Sequence, residues 1–110
     1  MAKSREKMQQ LLIDFITKQH PRNANAFMKT TEEFSPDMPG GIWMCGECND
    51  VVSKTELPMF EYYAGSWHGP EGKLYDSYIW GVHPKINKFV ESHGWWFEWY
   101  DPGTIMLWPQ

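Results

Sequence analysis

Met8, Leu11, Leu12, Phe15 and Ile16 recur at the i, i+3, i+4, i+7, i+8 spacing of a single helical face. That spacing predicts a helix, with Ser4 as its N-cap and Lys18 suiting the C-terminal dipole. Pro21 stops it near His20. A second helix is equally well bounded. Pro84 suits a first helical position, Ile86, Phe89, Val90 and His93 line one face, and Gly94 can take the left-handed conformation that ends it. Between these stripes the period changes. Ile42-Trp43-Met44-Cys45, Met59 to Tyr63 and Leu74 to Trp80 read as strands rich in residues that suit a pleated surface, and Val51-Val52 reads as the return of the first.

Asn23 to Lys29 reads as a short helix, Thr31 to Phe34 as a further turn, and Ser35 to Gly41 as loop. The chain closes on Trp95 to Tyr100 and Ile105 to Trp108, joined by Asp101-Pro102-Gly103-Thr104. Pro at the second turn position and Gly at the third is type II chemistry. Two-residue hairpins favour primed turns, so a wider or bulged hairpin is expected. Pro109 suggests a sheet edge. These elements predict a single α+β domain over residues 1–110: an antiparallel sheet of about five strands with two main helices packed on one face, in two layers.

Alternation sharpens the hairpin. A strand with Trp95, Phe97 and Trp99 on one face must send Trp96, Glu98 and Tyr100 to the other. Because the strand follows the second helix so closely, the first set is expected to face the helices. Trp96 and Tyr100 are then the rings left to be covered by this chain or by another. Six of the 18 aromatic residues fall after Gly94. Tyr62, Tyr78, Trp80, Trp96 and Tyr100, with Trp67 and His68 in the glycine-punctuated loop from Ala64 to Gly72, form the candidate binding surface. The competing reading is a core built from rings in place of Leu and Ile.

At 110 residues the chain can enclose one hydrophobic core. Nothing in it is long and apolar enough to span a membrane, and the first residues lack the apolar run of a signal peptide. With only Cys45 and Cys48, a secreted disulfide framework is disfavoured and a cytoplasmic setting expected. The net charge of -4 is unevenly spread: +4 over residues 1–30, -7 over 31–80 and -1 over 81–110. An acidic middle repels phosphate, which disfavours a nucleic-acid footprint.

Cys45-Gly46-Glu47-Cys48 alone carries site chemistry in its spacing, since two sulfurs so placed in a turn can bind one zinc ion. A closed site needs four ligands, and the chain has no second cysteine pair. The remaining ligands must come from His20, His68, His83, His93 or a carboxylate, with His68 and His83 the best candidates. Two free thiols are the plainer outcome. Asn, Asp, Val and Val after Cys48 favour turn and strand over the helix N-terminus of a redox dithiol. Glu61, Asp76 and Glu98 read first as polar members of alternating strands and second as an acid–base group.

The leading functional expectation is a small, non-catalytic, intracellular binding protein without cofactor, holding a protein partner or a second copy of itself on its rings. The alternative is a small metalloprotein with structural zinc at Cys45 and Cys48. The weakest is an enzyme with a Cys/His or carboxylate site beside Trp67 and His68.

Overall fold

The computed structural model describes residues 2–19, 28–46, 51–52, 57–64 and 73–110. The elements run α1 (Arg5–Gln19), β1 (Met28–Thr30), α2 (Thr31–Phe34), β2 (Ile42–Cys45), β3 (Val51–Val52), β4 (Leu57–Pro58), α3 (Pro84–Ser92), β5 (Trp95–Asp101) and β6 (Thr104–Pro109). The fold is α+β. An antiparallel sheet in the order β1-β2-β6-β5 carries helices on one side, and β3 and β4 pair separately.

Both long helices start as their sequences dictate. Ser4 Oγ accepts the Lys7 backbone N–H at 3.3 Å at the head of α1. Pro84 opens α3, and Gly94, with φ of 81°, turns the chain out of it directly into β5. Strand alternation then decides what the helices cover. Ile42, Leu107 and Phe97 lie in one cross-strand row, and Met44, Ile105 and Trp99 in another. These rows meet Met8, Leu12 and Ile16 of α1 and Ile86 and Val90 of α3 in the core. Each fully buried aliphatic side chain there contributes about 2 kcal/mol. Met59, Phe60 and Val82 complete the same cluster.

The opposite face carries the intervening row, Lys29, Trp43, Met106 and Glu98. Here α2 and its loop act as a partial cover. Thr30 Oγ1 caps α2 at Glu33, and Arg5 ties α2 to α1 through Glu32 at 2.6 Å. Buried Thr31 exchanges two hydrogen bonds with Gly41 and so closes the loop. Phe34 lies over Trp43 at 6.0 Å and meets Tyr100 edge-on at 5.2 Å, while the Lys29 ammonium stands 4.5 Å from the Trp43 ring. Met106 is fully buried beneath them.

Several local expectations fail. Met28–Thr30 is strand because it pairs with Ile42–Met44, so the helix expected over Asn23 to Lys29 does not reach its last two residues; residues 23–27 lie outside the described residues. Val51–Val52 pairs with Leu57–Pro58 and is not the return of β2, whose free flank is taken by β6. Met59 to Tyr63 and Leu74 to Trp80 are turns with isolated bridges at Phe60–Val82 and Ile79–Val82. Short-range bonds such as Tyr78 N–H to Tyr75 O at 3.0 Å fold the second segment back on itself. Its aromatic content suited a packed surface without requiring a ladder.

The closing hairpin is bulged between Trp99 and Asp101, the wider form expected of it, though not for the reason expected. Its turn is not type II, since Gly103 is not among the glycines with positive φ. Asp101 Oδ1 accepts the Gly103 N–H at 2.9 Å and closes the turn from its side chain. Nor is Pro109 on an edge strand. β6 lies between β2 and β5, and the edge is β5.

Trp95 and Trp43 differ in one respect that is testable. Trp95 is fully buried and its indole N–H donates to the Lys3 carbonyl at 2.7 Å. The Trp43 indole N–H is buried without a partner among the described residues. A buried unpaired donor costs about 1–3 kcal/mol, so removing it offsets the lost ring area. Trp95→Phe is therefore expected to lower stability by about 1 kcal/mol more than Trp43→Phe in urea denaturation. Equal losses would mean that neither indole N–H matters.

Candidate binding site

Ile79-Trp80-Gly81-Val82 is the local origin of the candidate site. Ile79 and Val82 exchange both backbone hydrogen bonds, at 2.9 and 3.0 Å, and the two residues between them both have positive φ, 51° at Trp80 and 75° at Gly81. That is the pattern of a type I′ turn, whose first central position favours Asn, Asp or Gly. Gly81 is required twice over, because a Cβ there would stand 2.7 Å from the Glu61 carbonyl oxygen. Glu61 N–H in turn donates to Gly81 O at 2.8 Å, and the Trp99 indole N–H donates to Trp80 O at 2.6 Å. The turn is thus held rigidly against the sheet through its backbone. Its Trp80 side chain is left 89% exposed. A bulky residue in the left-handed region costs about 1–2 kcal/mol, and this one returns little of it as burial.

Beside Trp80 a cleft of about 80 Å³ opens between the turn, α3 and β5. The turn contributes Ile79, Trp80 and Val82, and edge strand β5 contributes Trp96, Phe97 and Trp99. Asn87 and Glu91 enter from α3, one turn apart on the same stripe. Asn87 is only 6% exposed, and its side-chain amide has no hydrogen-bond partner among the described residues. The ring surface continues past the cleft, where exposed Tyr62 meets Trp99 edge-on at 5.1 Å and Tyr63 at 5.0 Å.

The candidate surface is therefore divided. Trp80 and Trp96 share the cleft, and Tyr62 borders it through Trp99. Tyr100 is exposed but lies with Phe34 on the far side of the sheet. Tyr78 is half-buried; its hydroxyl donates to the Pro58 carbonyl and its ring contacts Tyr75 and His83. Burial, with Tyr75 and Glu61 nearby, pushes its phenol well above the usual range. Trp67 and His68 lie outside the described residues.

Of the zinc candidates, Cys48 and His68 also lie outside the described residues. Cys45 is half-buried, and strand alternation puts it with Trp43 on the face away from the helices. His83 is on the helix side, as the N-cap of α3, where its Nδ1 accepts the Lys85 N–H at 3.0 Å. Among the described residues, no three His, Cys, Asp or Glu side chains gather into a group able to hold a metal ion. No described helix is long and apolar enough to cross a membrane. In the sequence alone, Asn87 and Glu91 look like the solvated face of α3. The Trp-Gly pair between Ile79 and Val82 was the available signal, since X-Gly between two β-formers is a hairpin-turn pattern. Compared with protein-family models, with curated proteins and with solved structures, the chain has no match.

Two measurements probe this geometry. Asn in place of Trp80 suits the turn, so Trp80→Asn is expected to raise the free energy of unfolding by about 1 kcal/mol. A loss of that size would show that the ring itself holds the turn. The second concerns His83, whose burial, with the charge of Lys85, holds its imidazole below its ordinary value of 6.5. The unfolded chain then binds this proton more readily than the folded one. Stability from this group is complete above the unfolded value and declines as pH falls through it toward the folded one. His83→Asn keeps a capping acceptor without a titrating ring. Urea midpoints between about pH 8 and pH 5 should fall more steeply in the wild type than in His83→Asn; equal slopes would exclude His83 as a source.

Proposed function

We propose that this protein is a small, non-catalytic binding protein that engages a protein partner or a second copy of itself through the Trp80 surface. The observation that carries this reading is a bulky side chain almost wholly in water, on a turn whose backbone it strains. Asn or Gly at position 80 would form the turn more readily, so the ring is not explained by folding. Trp and Tyr dominate binding hot spots because a large rigid ring buries much area while losing little rotamer freedom. Trp96 and Tyr62 extend the same surface, and the rigid backbone beneath Trp80 keeps it presented without an ordering cost. With Cys45 and Cys48 its only cysteines, the chain suits a reducing, cytoplasmic setting.

Trp80→Asn tests the reading because it removes the ring while favouring the turn. Sedimentation velocity at rising concentration is expected to show wild-type dimers that the variant does not form. If the wild type stays monomeric, cross-linking in an extract of the source cells is expected to yield a partner adduct with the wild type and not with the variant. Identical behaviour of the two proteins in both measurements would overturn the proposal.

A further inference from the structure

We infer that the cleft beside Trp80 takes an alkylammonium cation, the head of a lysine side chain, methylated or not, presented by a protein partner. This rests on reading the Trp80 surface as a binding site, and it adds the chemistry of what binds. Trp80, Trp96 and Trp99 are among the residues that line the cleft, and indole presents the most favourable aromatic face to a cation. Two acceptors enter from α3. Asn87 is 6% exposed and its amide is unpartnered among the described residues, leaving a carbonyl oxygen free to accept from an N–H donor. Glu91, one helical turn on, brings a carboxylate with no ion-pair partner among the described residues.

No cationic side chain lines the cleft, so an anion would meet the Glu91 carboxylate with only the Asn87 amide to donate to it. At about 80 Å³ it has roughly half the volume of the ~150 Å³ cavity that holds benzene. An ammonium head with its last methylenes fits that space better than a ring does. Charge points the same way at longer range, since the chain carries -4 overall and -7 over residues 31–80. Such a field favours a basic partner.

Three small probes test the assignment: Nα-acetyl-lysinamide, its ε-trimethyl form and its ε-acetyl form, which keeps the stem but has no charge. The protein's tryptophan indole N–H signals are followed by NMR. Both charged probes are expected to shift the signals of Trp80 and Trp96 with millimolar affinity, and the ε-acetyl probe to leave them unmoved. Glu91→Gln, at an exposed position, is expected to weaken the charged probes by about five- to tenfold. Equal shifts from the ε-acetyl probe, or unchanged affinity in Glu91→Gln, would overturn the inference. A choline headgroup offers the same cation, so tighter binding of phosphatidylcholine vesicles than of either lysine probe would overturn the protein source. Absence of cation binding alongside Trp80-dependent association would refute this assignment and leave the binding reading intact. Loss of both would refute the two together.

Discussion

The fold depends on burying Trp95 without stranding its indole N–H. A ring of that size brings more apolar area into the core than an aliphatic residue, but it also carries a donor that is costly if unpaired. The Lys3 carbonyl satisfies it from 92 residues away. Lys3 N–H donates to His93 O at 3.0 Å, and Gln110 N–H donates to Gly94 O at 2.8 Å. One joint, the passage from α3 into β5, therefore gathers the segment before α1 and the residue after β6. Gly94 makes that passage abrupt, which leaves α3 no freedom to sit elsewhere on the sheet.

That abruptness also creates the cleft. Because β5 follows α3 at once and is the edge strand, no strand among the described residues pairs beyond it. The Ile79–Val82 turn approaches this edge and is held there by the Trp99 indole N–H on the Trp80 carbonyl. The polar stripe His83, Asn87 and Glu91 runs beside the apolar stripe of α3. His83 is absorbed as a cap, while Asn87 and Glu91 line the cleft with residues of β5 and the turn. A turn that strains Trp80 and the amide and carboxylate of Asn87 and Glu91 thus converge on one small space.

The two sheet faces resolve the aromatic excess differently. Trp95, Phe97 and Trp99 join the helix-side core, as alternation and the short link from α3 require. The other face is roofed in part by Phe34 and sealed at Met106, Tyr100 stays exposed there, and exposed Trp96 sits on the edge strand at the cleft. The chain thus contains both a ring-built core and a ring-bearing surface. The division runs along a single strand.

Both long helices, the Ser4 cap, the Pro84 start and the Gly94 stop, the strand Ile42–Cys45 and the final bulged hairpin were legible in the sequence. Each is encoded by residues within a few positions of one another: a 3.6-residue stripe, a proline or serine start, a glycine stop, a two-residue alternation. The facing of Trp95, Phe97 and Trp99 was legible for the same reason. The pairing partners were not. β1, the central place of β6 and the separate β3–β4 pair depend on long-range contacts, and Leu74 to Trp80 shows that aromatic β-formers fold as turns when local hydrogen bonds close first. The site was least legible of all. Trp80 was visible as a ring, but its exposure comes from a left-handed turn docked on Glu61 and Trp99, and Asn87 gains meaning only where α3 meets the edge strand. Local periodicity determined the elements; burial and backbone hydrogen bonding between distant segments decided which rings were covered and which were left exposed.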